Sequence, residues 1–348
     1  MPACPLPPRI HRLGAGLALA LLLSACGGPA GTSNGSGQPK QLLLVSYAVT
    51  KAAYDRILPA FRADWKARTG EDLEIRTSYG GSGSQTRAII DGLEADVAGL
   101  ALGADVNKLQ QAGLIEPGWE KELPNDSVIT HSTVALLTRP GNPKGIKTWQ
   151  DLNRKDVEVV SANPRTSGGA RWNFLGLWGS ITQTGGSDAQ AKAFVSAVYG
   201  NVKNLPKDAR EASDVFLKRN QGDVLLNYEN EAILATRTGD LKAPYLVPDP
   251  NIRIDGPVAV VDRNVDRRGT RREAEALARY LMSAPAQTIF AEEGFRPVNP
   301  GVWSKVKGRF APVGSLFTVE AFGGWSRVEA SFFSAGGLWD QLFDRARR

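Results

Sequence analysis

The chain has 348 residues and a formal net charge of +6, from 42 Lys and Arg against 36 Asp and Glu, with two cysteines and two histidines. That length favours two domains over one. With Cys4 and His11 both in an N-terminal leader and Cys26 at its end, thiol catalysis, cysteine metal sites, a histidine zinc cluster and a disulfide framework are excluded.

The leader carries Arg9 and Arg12, then an uncharged run of 13 residues from Leu13 to Ala25. The run is too short to span a bilayer as a helix and suits a signal-peptide core. It ends in Leu23-Ser24-Ala25-Cys26, which resembles the lipobox of bacterial lipoproteins and implies acylation of Cys26; a soluble form cut near Ala25 is the alternative. Residues 27–40 (GGPAGTSNGSGQPK) read as a flexible tether with a reach of roughly 20 Å. No later segment is a spanning candidate, so membrane contact is expected through the lipid anchor only. Removing the leader takes two arginines and no acid, leaving +4 spread along the chain, a mild field that favours arrival of an anion.

Beyond the tether, strand-like runs at 42–47, 73–78, 97–102, 133–138, 157–162, 224–228 and 258–261 alternate with helical patterns. This alternation predicts parallel α/β lobes. Between the first two strands, Tyr54, Ile57, Leu58, Phe61 and Trp65 share a helical face, expected to be kinked or shortened near Pro59. Next, Tyr79-Gly80-Gly81-Ser82-Gly83-Ser84-Gln85 opens a helix with Ala88, Ile89, Ile90 and Leu93 along one side. A second such element, Pro164-Arg165-Thr166-Ser167-Gly168-Gly169-Ala170-Arg171-Trp172, reads as a turn feeding a helix, with Ser167 as cap and two glycines baring the backbone. Helix starts offer N–H groups without internal partners and attract anions, so the pair implies one oxyanion held from two sides. The segments Ser46–Ala48, Ser78–Ser82, Asn163–Gly169 and Tyr228 all follow predicted strands, where open α/β sheets bind ligands.

Enzymatic readings find little footing. A Ser/His/Asp triad would have to run through His131, and Gly80-Gly81-Ser82-Gly83-Ser84 misses the G-x-S-x-G pattern at its last position. The basic run Arg263–Arg272 has no aromatic stacking residues and reads as a solvated loop and helix start, so no nucleic-acid partner is expected.

Several motifs together carry a resemblance. Ser46-Tyr47, Gly80–Gln85, Ile89-Ile90-Asp91-Gly92-Leu93-Glu94-Ala95-Asp96-Val97 and Arg139-Pro140-Gly141-Asn142-Pro143-Lys144 resemble the bacterial periplasmic sulfate-binding proteins. So do Asn163–Trp172, Gly222–Leu226, Glu229-Asn230-Glu231 and Phe322-Gly323-Gly324-Trp325, in order from about Leu42 to about Gln341. The resemblance implies an α/β, two-lobed periplasmic-binding-protein fold (type II), each lobe a mostly parallel sheet flanked by helices, with a cleft between. The expected division is 1–25 signal peptide, 26–40 tether, 41–126 with 254–311 lobe 1, 127–253 lobe 2, and 312–348 a helical segment packing across the lobes. Lobe crossings are expected near Asp126–Thr133 and Val247–Ile254.

The implied function is capture of dehydrated sulfate outside the cytoplasm and delivery to an ABC permease, by a lipid-anchored monomer with no cofactor, no metal and no enzymatic activity. The resemblance carries seven donors onto this chain: the N–H groups of Ala48, Ser82, Gly168, Gly169 and Ala209, the Ser167 hydroxyl and the Tyr228 side chain. Arg171 and Arg210 flank the contacting peptides and are expected to support the cleft from behind, with surface salt bridging the alternative for both. Sulfate only accepts hydrogen bonds, whereas phosphate keeps a proton at neutral pH, so a donors-only pocket leaves that proton unpaired at a cost of about 1–3 kcal/mol. Two positions depart from the pattern. Ala48 stands where sulfate binders commonly have aspartate, and Tyr228 where they usually have tryptophan, so the pocket gains a phenol able to accept as well as donate. Thiosulfate binders tend to replace the second glycine of the turn with asparagine; Gly169 matches the sulfate type. Thiosulfate or a broader tetrahedral oxyanion is the alternative ligand, and an envelope enzyme on sulfate or phosphate esters the distant one.

Overall fold

The computed structural model describes residues 39–346. The expected signal peptide, Cys26 and the tether up to residue 38 lie outside the described residues. Strands β1 (Lys40–Tyr47), β2 (Leu73–Gly80), β3 (Val97–Gly99), β4 (Val128–Ser132), β5 (Val134–Thr138), β6 (Val159–Val160), β7 (Val224–Tyr228), β8 (Asn251–Ile252), β9 (Ile254–Val260), β10 (Arg296–Pro297) and β11 (Leu316–Phe317) build the sheets. Helices α1 (Lys51–Thr69), α2 (Ser82–Ile90), α3 (Gly103–Gln111), α4 (Gly168–Thr182), α5 (Asp188–Gly200), α6 (Ala209–Leu217) and α7 (Glu229–Thr238) cover them. The later helices are α8 (Asp262–Arg268), α9 (Arg271–Leu281), α10 (Ala284–Glu292), α11 (Pro300–Val306), α12 (Gly324–Val328) and α13 (Leu338–Ala346).

One lobe is centred on a six-stranded sheet in the order β10-β4-β9-β3-β1-β2, the other on a three-stranded sheet in the order β5-β7-β6; β8 and β11 form a separate pair. β1 is sandwiched between two parallel neighbours, which explains its continuous apolar run Leu42–Val45. The expectation of mostly parallel sheets needs correction. β1–β2, β1–β3 and β6–β7 are parallel, but β3–β9, β4–β9, β4–β10 and β5–β7 are antiparallel. β9 enters its sheet after the excursion through the second lobe, without the helical crossover that forces neighbouring strands parallel.

Boundaries shift for a related reason. Val128–Ser132, counted with lobe 2 on the sequence, pairs with β9 in the six-stranded sheet, and the chain reaches the three-stranded sheet at Val134. The polar residues Thr130, His131 and Ser132 mask this strand from a search for apolar runs. Helix α1 buries Tyr54, Ile57, Leu58, Phe61 and Trp65 and ends at Gly70 in the left-handed conformation (φ 76°). It is not shortened at Pro59: Pro59 and Asp55, whose carbonyl loses its partner to the proline ring, both lie on the exposed side. Toward the C-terminus, Trp325 meets Trp172 of α4 edge-on at 4.8 Å, and Trp339 meets Tyr199 of α5 at 4.9 Å. Among the described residues no helix is long and apolar enough to cross a membrane.

Candidate functional site

Four helices and a 3-10 turn begin at one small cavity. Ala48 opens the turn Ala48–Thr50 after β1, Ser82 opens α2 after β2, Gly168 and Gly169 open α4, Ala209 opens α6, and Tyr228 caps α7 at the end of β7. All seven residues singled out from the sequence line this cavity of about 10 Å³, room for the centre of one small guest. Tyr47, Gly81, Ala101 and Asp208 complete most of the wall, and no Lys or Arg is part of it.

The donors divide by geometry. As first or second residues of their helices, Ser82, Gly168, Gly169 and Ala209 have N–H groups with no carbonyl one turn back. N–H groups one or two residues further along are already committed: Gly83 to the Thr166 carbonyl (3.1 Å), Ala170 to the Ser167 hydroxyl oxygen (3.4 Å), Glu211 to Asp208 Oδ1 (2.9 Å). The Ser167 oxygen thus accepts from its own helix and keeps its proton for a guest. Ser82 differs. Its hydroxyl donates to Asp105 Oδ2 (2.7 Å) and accepts from the Ala101 N–H (3.0 Å), so only its backbone faces outward. The Asp208 carboxylate serves as N-cap of α6, and the spacing Asp208…Glu211 is the sequence signal that would have announced it.

Tyr228 is 2% exposed, yet its hydroxyl is buried with no hydrogen-bond partner. Burial foremost, then the neighbouring Tyr47, Asp105 and Glu231, raises its pKa well above that of a free phenol, so it stays protonated. Its ring stands 6.0 Å from that of Tyr47 and covers Gly169, where an added Cβ would meet Tyr228 Cε2 at 2.5 Å. Glycine is needed at two more places. A Cβ on Gly81 would sit 2.4 Å from the Thr166 carbonyl oxygen, and one on Gly168 would sit 2.6 Å from Ala101 Cβ. These glycines let the two lobes approach each other as closely as they let a guest approach the backbone.

Neither Arg171 nor Arg210 lines the cavity. Arg171 is buried; its Nε donates to the Pro164 carbonyl (2.8 Å) and Nη1 to Glu329 (2.6 Å). Arg210 pairs with the buried Glu231 (2.7 Å), and its own Nε is buried without a partner. His131 hydrogen-bonds Asp255 (2.6 Å) away from this cavity. Asp105, Lys108 and Glu329, which the sequence reading did not single out, meet behind the cradle through contacts that no local motif encodes.

Similarity to known proteins agrees with this architecture. The sequence pattern of the family described as bacterial extracellular solute-binding protein matches residues 42–296. The chain is 54% identical over 327 residues to a sulfate-binding protein of Synechococcus elongatus, covering 93% of each chain. It is 38% identical over 325 residues to a thiosulfate-binding protein of Pseudomonas aeruginosa, covering 92% of this chain and 97% of the other. Its fold matches the solved sulfate-binding protein SubI from Mycobacterium tuberculosis with a TM-score of 0.78 and 33% identity, over 85% of this chain and all of that one. With the family pattern spanning most of the chain, both lobes matching a solved relative, and helix starts converging on one cleft, the protein belongs to the bacterial extracellular solute-binding protein family.

Proposed function

We propose that the protein captures sulfate in the cavity between its lobes and hands it to an ABC importer, without catalysing a reaction. The observation that carries this reading is the donor inventory. Helix-start N–H groups, the Ser167 hydroxyl and the partnerless buried Tyr228 hydroxyl converge on a space without any cationic side chain. Sulfate offers only acceptors and two negative charges, which helix dipoles and fixed N–H groups offset together. Relatives named for sulfate, at 54% and 50% identity, support the same ligand over thiosulfate, whose named relatives stand at 38% and 37%. Ala48 contributes its peptide N–H as any residue there would, and Gly169 leaves no side-chain amide in the cleft. Arg171 and Arg210 act from behind the contacting peptides. The one carboxylate residue of the wall, Asp208, is engaged as the cap of α6, accepting from the Glu211 N–H, which favours capture over ester hydrolysis.

Titration calorimetry on ligand-stripped protein with sulfate, thiosulfate and phosphate at pH 7 and pH 8.5 tests the reading. One-to-one sulfate binding with weak phosphate competition is expected; comparable phosphate binding would sink the donors-only pocket. Cys26 is proposed as the lipid-anchored residue of an envelope protein. Release of a Cys26→Ala variant from the membrane fraction checks the anchor separately.

A further inference from the structure

Behind the cavity, four charged side chains form a continuous run. Asp105 of α3 is 1% exposed and holds the Ser82 hydroxyl at 2.7 Å. Lys108, one turn later, lies 3.6 Å from the other Asp105 oxygen and 2.8 Å from Glu329 Oε1. The second oxygen of Glu329 takes Arg171 Nη1 at 2.6 Å, and Arg171 Nε reaches the Pro164 carbonyl in the loop that leads into Ser167. The Phe333 ring lies 4.9 Å from the guanidinium. α3 packs through Val106 and Leu109 with Val45, Ala98 and Ala259 of the first lobe, while Asn173 of α4 bonds the Leu226 carbonyl of the second. Glu329 comes from neither. It opens a π-helical turn, Glu329–Phe333, in the C-terminal segment.

One carboxylate therefore joins both halves of the cradle. Two acids and two bases cancel, so the run adds no net charge behind a guest dianion. Arg171 has an 8% exposed side chain and Glu329 a 26% exposed one, so solvent screens this link less than a surface pair. We propose that Glu329 is a positioning residue for oxyanion binding. Through Lys108 and Asp105 it fixes the helix start at Ser82, and through Arg171 the start at Gly168 and Gly169, holding both at the closed spacing. The proposal rests on the reading of the cavity as an oxyanion site. Because the bridge holds the halves at the closed spacing, which the ligand-free protein also visits, its loss speeds escape rather than slowing encounter and loosens both helix starts.

The test compares the full chain in detergent with its Glu329→Gln and Glu329→Asp variants. Stopped-flow tryptophan fluorescence with sulfate should give a dissociation rate raised about tenfold in Glu329→Gln, an association rate within about twofold of wild type, and recovery of most of the loss in Glu329→Asp. In ligand-free Glu329→Gln, hydrogen exchange should quicken in peptides covering 79–86 and 164–172 while those of α9 stay unchanged. An unchanged dissociation rate overturns the proposal, as does faster exchange that includes α9, which would mark Glu329 as merely holding the fold. If wild type gives no heat with sulfate, the sulfate reading fails on its own. The exchange comparison then decides alone: quickening confined to both cradle segments sustains the positioning role, and no difference overturns it.

Discussion

Tyr228 concentrates the chemistry of this site in one atom. Its buried hydroxyl has no partner in the protein, a state that costs stability unless a guest supplies an acceptor. Tyr228→Phe should therefore weaken sulfate binding by about 1–2 kcal/mol while leaving the thermal stability of the ligand-free protein undiminished. Calorimetry and thermal unfolding measured together check both halves, and unchanged affinity would mean that the last donor comes from elsewhere. Gly169 is the complementary case, since its missing Cβ is what admits the Tyr228 ring. Gly169→Ala should lower affinity through steric displacement of that ring, and Gly169→Asp should abolish binding by adding a like charge inside the cleft. Sulfate titration of both variants would show whether size or charge governs; retained affinity in the aspartate variant would move the anion out of this cavity. Ala48 needs no side chain for its expected task.

At the scale of elements, the site is a meeting of helix starts, and the closeness of that meeting depends on Gly81. A Cβ there would press 2.4 Å from the Thr166 carbonyl and 3.0 Å from that of Lys207, both on the opposite lobe. Gly81→Ala should leave each lobe folded but block closure, so the stabilisation conferred by sulfate in a thermal melt should largely vanish while the ligand-free melting temperature barely moves. Much of this was legible in sequence because turn chemistry is local. Gly-Gly-Ser and Ser-Gly-Gly after apolar runs announce strand ends that become helix starts, and β7 spans the residues expected of it. Other parts were not legible, for physical reasons. Strands β8, β10 and β11 have two residues each and owe their existence to the partner they meet. The antiparallel direction of β9 follows from which lobe the chain returns from, which no hydropathy pattern records. Glu329 and Arg171 are 158 positions apart, so their link is a product of folding alone. The seven cradle residues were found through the family resemblance and helix-start logic; the Ser82 hydroxyl, turned inward to Asp105, shows where backbone and side chain must be argued separately.

For the whole molecule, the question is what joins the lobes apart from the guest. Trp172 of α4 donates its indole N–H across to the Ala101 carbonyl at 2.8 Å, beside the cradle. A second tie is ionic: Glu293, following α10, receives Arg56 from α1 and Arg237 from α7, helices that belong to different lobes. Burial pushes the Glu293 carboxyl up, but hydrogen bonds from Arg237 and Arg56 outweigh it and leave its pKa depressed. A depressed folded-state value means that the tie's contribution is fully present above the unfolded pKa of about 4.3 and is lost as pH falls through the folded value. Both arginine side chains are about half exposed, so the contribution should lie near 1–2 kcal/mol, below the roughly 3–5 kcal/mol of a fully buried pair. Glu293→Gln should accordingly lower the unfolding free energy at pH 7 by about that amount, with the gap narrowing as pH falls below about 4.3 toward the depressed folded value, where the wild-type carboxylate gains its proton. Denaturant titrations at pH 7, 5 and 3 measure the gap. Shared ion pairs titrate alike in both proteins and cancel, so a gap that closes with acid assigns the tie to charge, whereas a constant gap would assign it to packing.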